Sequence, residues 1–129
     1  MIDFRIERRS GTAAYAQIIQ QVHDAILLGR LRVGDQLPTA REVVAATGIN
    51  PNTVLKAYRQ LDAAGVVETR AGSGTFVTAA PDRVIDETTS PLADSLAAWL
   101  GDARAHGLDR PSVEALVKSH LDRLFEETA

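Results

Sequence analysis

The short segment Gly48-Ile49-Asn50-Pro51 constrains the fold of this chain more than any other part of the sequence. Glycine adopts the left-handed conformation that ends many helices, so Gly48 predicts a helix end. Asparagine is a favoured N-cap and proline is favoured at the first helical position, so Asn50 and Pro51 predict the start of another helix. Two helices must therefore meet across a two-residue turn.

Each of these two helices has a further signal of its own. The first is predicted to begin after Thr39, whose hydroxyl can cap free backbone amides, and to run through Arg41 and Val43-Val44-Ala45. The second closes at Gly65. Its apolar residues recur every three or four positions and predict a buried stripe formed by Val54, Leu55, Tyr58 and Leu61.

A helix is also predicted upstream, with Thr12 as a candidate N-cap and Gly29 at its end. Its apolar stripe consists of Tyr15, Ile18, Ile19, Val22, Ile26 and Leu27. Residues 31–38, which follow it, combine short alternation with glycine and proline and predict a turn or a brief strand.

Downstream, residues 66–70 and 75–78 are strand-like and flank the small residues 71–74, which predicts a hairpin. Three helices followed by a hairpin is the order of a winged helix-turn-helix, an α+β fold whose third helix enters the major groove of DNA. Residues 72–74 lack the lysine and the following helix of a P-loop, so a wing tip or an ordinary hairpin turn is predicted instead.

The remainder of the chain predicts a polar connector at 79–89 and a helical hairpin at 90–129, after a DNA-binding domain at 1–78. The two tail helices, 90–106 and 111–127, cannot bury their apolar stripes in isolation, which predicts a dimer interface. Its residues are Leu92, Leu96, Trp99, Leu100, Val113, Leu116, Val117, Leu121 and Leu124. His120 is predicted to be a packed or an interfacial histidine, and Phe125 to be a core residue or an anchor of the same contact.

Composition narrows the classes of function. Residues 1–78 hold nine Lys/Arg and seven Asp/Glu, whereas residues 79–129 hold five and ten, so the basic excess lies in the part that would face phosphate. Without cysteine there is no thiolate nucleophile or Cys-type zinc site, and the three histidines are too scattered to suggest a metal centre. We expect no enzyme activity, no cofactor and no membrane contact, and a cytoplasmic location.

Several spaced blocks resemble the signature of the GntR family, over residues 12–78. They are Gly29-Arg30-Leu31, residues 34–42, Asn52-Thr53-Val54, Leu61, Gly65 and residues 72–77. The Asn50–Val54 run and the short two-helix tail resemble the YtrA subfamily. The resemblance implies a homodimeric repressor of double-stranded operator DNA, often controlling genes for an ABC transporter.

Two positions depart from the family pattern. Thr39-Ala40 stands where Ser-Glu is usual, and Pro51 replaces an arginine near the start of the recognition helix, which removes one expected base-reading cation. We expect neither the effector-binding domains nor the aminotransferase domain of other subfamilies, and therefore none of the ligands and cofactors of those domains.

The candidate DNA-binding residues lie on the second and third helices and on the hairpin. Arg41 matches a family arginine that contacts DNA, although an ion pair to Glu42 or Asp35 is the alternative. Asn50 either contacts DNA or serves only as the cap. The remaining candidates are Asn52, Thr53, Lys56, Arg59, Arg70, Gly72 and Ser73, for which a solvated face or a plain turn is the alternative.

Two other hypotheses remain beside the dimeric repressor. In one, the chain is a sensor that binds an unknown small molecule between the tail and the winged domain and then releases DNA. In the other, the winged helix is a protein-interaction module that has no salt-sensitive affinity for DNA.

Overall fold

The computed structural model describes residues 2–126 and contains five helices and one hairpin within that range. The elements are α1 (Ala14–Leu27), α2 (Ala40–Thr47), α3 (Pro51–Ala63), β1 (Val67–Arg70), β2 (Gly74–Val77), α4 (Pro91–Ala105) and α5 (Arg110–Leu124). They form two compact units, one ending at Asp86 and the other beginning at Glu87.

The turn between α2 and α3 has the geometry expected from the sequence. Gly48 adopts a left-handed conformation with φ of 73°, and its N–H donates to the Val44 carbonyl at 2.7 Å. The Asn50 side chain accepts a hydrogen bond from the Asn52 N–H at 2.8 Å, and Pro51 occupies the first turn of α3. Both helix ends at the turn are thus satisfied locally, which fixes the direction in which α3 begins.

The start of α2 carries a full capping box. The Thr39 hydroxyl accepts from the Glu42 N–H at 3.1 Å, while the Glu42 carboxylate accepts from the Thr39 N–H. Two backbone donors that the helix cannot satisfy are therefore paired reciprocally.

One hydrophobic core joins the three helices to the hairpin. Its fully buried side chains are Ile18, Val22, Leu31, Leu37, Val43, Val54, Leu61, Val67 and Val77. Tyr58 crosses this core and donates its hydroxyl to the Pro38 carbonyl at 2.6 Å, which ties α3 to the segment before α2. Burial, together with the charge of Glu42, raises the pKa of Tyr58, so the phenol remains a donor.

Three details of the helices differ from the sequence-based expectation. Thr12 does not cap α1, because Ala13 occupies the cap position and provides no side-chain hydrogen bond. Leu55 is 42% exposed, and Ala57 lies in the core instead, since the buried face of α3 follows positions 54, 57, 58 and 61. Leu27, at the last turn of α1, is also exposed rather than buried.

The hairpin pairs β1 and β2 in antiparallel register, with Val67 opposite Val77 and Arg70 opposite Gly74. The segment before α2 pairs with the other edge of β2. Leu37 N–H donates to the Thr75 carbonyl and Val77 N–H to the Asp35 carbonyl, each at 2.8 Å. Residues 31–38, predicted as a turn or brief strand, therefore connect the wing to α2.

The predicted connector, residues 79–89, is not a separate segment between the two units, because the boundary between the units falls within it. Residues up to 86 belong to the first unit, where the Ile85 N–H donates to the Leu27 carbonyl at 2.9 Å. Val84 lies close to Gly29, just after the end of α1, since one of its methyl groups is 3.5 Å from the position that a Cβ on Gly29 would occupy. These contacts give the last residues of the first unit a defined path.

The second unit consists of α4 and α5. Ser90 caps α4, and Asp109 caps α5 by accepting from the Ser112 N–H at 3.0 Å. Hydrogen bonds from the Ser112 side chain and from its backbone N–H lower the pKa of the Asp109 carboxyl. The predicted helices 90–106 and 111–127 were nearly correct, but α5 ends at Leu124 and residue 127 lies outside the described residues.

Removing the cap of α2 tests this description of the fold. We expect Thr39→Ala to lower the free energy of unfolding by about 1 kcal/mol, as the loss of a threonine N-cap does. Thr12→Ala is the matched control and should stay within about 0.5 kcal/mol of the unmodified chain. Urea denaturation followed by circular dichroism measures both. Equal losses in the two variants would contradict the assignment of the caps.

Candidate nucleic-acid interface

The start of α3 presents polar side chains to solvent. Asn52 is exposed and Thr53 is half-buried, and both lie on the first turn of the helix, where their backbone N–H groups are already bonded to the side chain and the carbonyl of Asn50. The side-chain oxygen of Asn50 is already committed to the cap. Of the three polar residues predicted here, Asn52 and Thr53 are therefore the better placed to contact a ligand.

Arg41 lies on the first turn of α2 and is exposed. The two carboxylates proposed as alternative partners are engaged elsewhere: Glu42 accepts from Thr39, and Asp35 accepts from the Arg32 N–H at 2.8 Å. Within residues 2–126, Arg41 forms no ion pair. Its guanidinium therefore keeps the planar fork of donors that suits guanine or phosphate.

The exposed face of α3 carries Lys56 and Arg59. The Lys56 ammonium lies 3.8 Å from the centre of the Tyr15 ring on α1, so it is held in place by a cation–π contact and is not freely solvated. Because this contact neutralises no charge, the ammonium still attracts an anion. Within residues 2–126, Arg59 forms no ion pair or ring contact that would orient it.

The wing tip combines small residues with a restrained arginine. Gly72 and Ser73 are exposed. Gly72 adopts a left-handed backbone conformation with φ of 75°, which glycine tolerates because it has no Cβ. Arg70 is partly occupied, because its guanidinium lies 3.8 Å from the Glu68 carboxylate and 4.6 Å from the centre of the Phe76 ring. Arg70 is therefore the least available cation of the predicted set.

Gln36 also belongs to the wing, although the sequence did not suggest it. Its side-chain amide donates to the Ser73 carbonyl at 3.1 Å. It also fills the space that a Cβ at Gly74 would need, so Gly74 lets the amide approach the strand backbone. Gln36 thereby holds the wing tip against the segment that precedes α2.

The residues predicted for dimerisation form an apolar groove between α4 and α5. Six of the nine line it, together with His120: Leu96, Trp99, Leu116, Val117, Leu121 and Leu124. Leu92, Leu100 and Val113 do not line it. Trp99 is 40% exposed and Leu124 is 79% exposed, so the groove is open to solvent in the single chain.

Within the described residues, no three His, Asp or Glu side chains lie close enough to hold a metal ion. No helix of residues 2–126 has both the length and the apolar character that crossing a membrane requires.

Comparison with known proteins places this geometry in a family. The family model for bacterial regulatory proteins of the gntR family matches residues 14–77, from the start of α1 to the end of β2. The HTH-type transcriptional repressor YtrA of Bacillus subtilis is 34% identical over 115 residues, which cover 88% of each chain. The chain belongs to the gntR family of bacterial regulatory proteins.

Other relatives agree with this membership. The HTH-type transcriptional regulator Rv1152 of Mycobacterium tuberculosis is 36% identical, over 82% of this chain and 84% of the relative. The solved structure of YtrA from Sulfolobus acidocaldarius, a GntR-family transcription factor, has a TM-score of 0.55 at 28% identity and covers 79% of this chain and 97% of that one.

The predicted winged helix-turn-helix and the YtrA-like family are confirmed. The chain is a DNA-binding transcriptional regulator of the gntR family, and the family and its relatives are regulators and not enzymes.

Proposed function

We propose that this gntR-family regulator is a homodimeric repressor that binds a palindromic operator. The observation that carries the proposal is the set of uncommitted polar side chains on the first turns of α2 and α3, namely Arg41, Asn52 and Thr53. In a helix-turn-helix the first turn of the recognition helix, here α3, meets the edges of the bases in the major groove, while the helix before it, here α2, crosses the DNA backbone.

The name of one relative supports this proposal. The B. subtilis relative is called a transcriptional repressor. The DNA-binding domain of AraR, solved with operator ORE1, has a TM-score of 0.50 at 24% identity and covers 60% of this chain and 95% of that one. The AraR likeness concerns the fold alone, so contacts to DNA are inferred here from this chain's own surface.

The candidate residues divide into two groups by their chemistry. Arg41, Asn52 and Thr53 would read bases, since a guanidinium fork fits guanine and an amide can pair with adenine. Lys56, Arg59, Gly72 and Ser73 would contact phosphates and set the register of the protein on the duplex. Arg70 would join them only by leaving Glu68, and Asn50 would contribute mainly through its cap.

The dimer part of the proposal rests on the groove between α4 and α5. Solvent-exposed Leu96, Trp99, Leu121 and Leu124 form a contiguous apolar surface of a kind that marks interfaces. A second copy would cover the surface with the same residues, as the two-fold symmetry of a dimer requires. Two recognition helices related by this symmetry would read the two halves of a palindrome.

Three finer parts of the proposal are supported by the family resemblance or by the composition of the chain. They are repression, control of ABC-transporter genes and a cytoplasmic location. The groove between α4 and α5 lies within one unit, so it is not the pocket between tail and winged domain that the sensor hypothesis requires.

Arg41 provides a test of DNA reading. We expect Arg41→Ala to weaken binding to the preferred operator by about 1 to 3 kcal/mol while binding to unrelated duplex changes little, because a bidentate contact to a base is lost. The operator is obtained by selecting bound sequences from random DNA, and affinities follow from fluorescence anisotropy. Arg104→Ala, an exposed arginine on α4, is the control.

A uniform loss of affinity on operator and unrelated DNA would make Arg41 a phosphate contact and contradict its assigned role. Selection that enriches no sequence would contradict operator recognition altogether.

Trp99 provides a test of the dimer. We expect sedimentation of the full chain to show a dimer, and Trp99→Ala to raise its dissociation constant at least about 30-fold, since anchoring aromatic residues contribute about 2 kcal/mol or more. Leu55→Ala removes an exposed leucine of α3 and should leave the dimer unchanged. An unmodified chain that sediments as a monomer, or a Trp99→Ala variant that remains fully dimeric, would contradict this interface.

A further inference from the structure

The segment that precedes α1 is fastened along that helix by two glutamines. The Gln21 side chain donates to the Arg5 carbonyl at 2.7 Å and accepts from the Arg5 N–H at 3.0 Å. Gln17 makes the same pair of contacts with Glu7, at 3.0 Å and 2.9 Å. Because Phe4 is also buried in the core, this segment follows a fixed path along α1.

The path brings Arg8 to the turn between α2 and α3. Its Nη2 donates to the Thr47 carbonyl at 3.1 Å, at the end of α2. The same nitrogen lies 3.0 Å from the position that a Cβ on Gly48 would occupy. Arg8 thus bonds the last residue of α2 and lies beside Gly48, directly before the helix that would enter the major groove.

The guanidinium retains most of its binding capacity in this position. It carries five N–H donors, of which one is used on the Thr47 carbonyl. The residue is exposed, and within residues 2–126 no carboxylate forms an ion pair with it. A positive charge in this state has no internal counterion to displace before it binds an anion.

The surroundings of Arg8 include the proposed DNA-reading residues. One open cleft is lined by Arg8, Ser10 and Gly48 together with Asn50 and Thr53 at the start of α3. A duplex whose base edges reach Thr53 would therefore bring its sugar-phosphate backbone close to Arg8. The opposite end of the segment, at Arg5, faces Gln21, Asp24 and Leu28 near the end of α1.

We infer that Arg8 is a further DNA-binding residue of this chain, which holds the turn before α3 with one donor and binds a backbone phosphate with the others. This inference rests on the proposed DNA binding of the winged helix. Arg8 lies outside the helices and the wing. It also precedes residues 12–78, over which the sequence resembles the family.

The test compares Arg8→Gln, Arg8→Lys and Arg5→Gln in the full chain, with a mixed-sequence DNA duplex as the probe. Nonspecific binding suits this purpose because it reports phosphate contacts alone, and each contact contributes about 0.9 to the slope of log affinity against log salt. We expect Arg8→Gln, which removes the charge and leaves a polar side chain, to bind about tenfold more weakly at low salt and to lose about one such unit of slope.

The other two variants separate charge from structure. Arg8→Lys should restore the slope, since an ammonium also neutralises a phosphate, and Arg5→Gln, which removes a charge from the same segment, should keep the slope of the unmodified chain. A thermal melt of each variant tests whether the fold is retained. Loss of the hydrogen bond to Thr47 alone would leave the salt slope unchanged, because that bond contacts no phosphate.

An Arg8→Gln variant with the affinity and slope of the unmodified chain would overturn the inference and leave the proposed function intact. A loss of affinity without a change of slope would also overturn it, because Arg8 would then act only on the turn. Failure of the unmodified chain to bind duplex DNA at any salt concentration would overturn the proposed function and this inference together.

Discussion

The left-handed turn at Gly48 is the constraint on which the remaining geometry of the winged unit depends. Gly48, with φ of 73°, ends α2, and two residues later the N-cap at Asn50 begins α3 in a different direction. A side chain at this position would cost about 1 to 2 kcal/mol of backbone strain and would press against Arg8. The direction of α3 in turn decides which residues face the core and which face a ligand.

The two faces of α3 serve separate purposes. Val54, Ala57 and Leu61 are buried against α1 and the hairpin, and the Tyr58 hydroxyl anchors the helix to Pro38. Asn52 and Lys56 project from the other side. Since Asn52 and Lys56 are exposed while the opposite face of α3 is packed in the core, the surface that we propose for DNA binding is already formed in the unbound chain. Such preorganisation lowers the conformational entropy lost on binding.

The arginines around this surface differ in how far they are already engaged. Arg70 is held by Glu68 and the Phe76 ring, whereas Arg41 has no ionic partner within the described residues. Arg8 lies between these cases, with one donor used and the charge unpaired. A net charge of −3 for the chain is therefore compatible with DNA binding, since affinity depends on the cations that are free at the contact.

Local signals in the sequence predicted most of the fold. Thr39, Gly48, Asn50 and Pro51 determine helix ends through bonds to residues at most four positions away, so their neighbours in the sequence suffice to identify them. Thr12 is also of a residue type favoured at the N-cap, but Ala13 occupies that position of α1. The residue preference alone does not determine where a helix starts.

Long-range contacts were not predictable in this way. Gln36 reaches Ser73 across 37 positions, and Arg8 reaches Thr47 across 39. Each depends on the completed fold, and no periodicity or capping rule encodes it. The sequence thus predicted the residues that build the winged unit, and missed two that fasten its turn and its wing.

An NMR titration with a selected operator duplex tests the central claim most directly. The account predicts that the amide resonances that shift most belong to the first turns of α2 and α3 and to the wing tip at residues 71–74. The buried backbone of the core should shift little. Shifts confined to α4 and α5, with the starts of α2 and α3 unchanged, would contradict it.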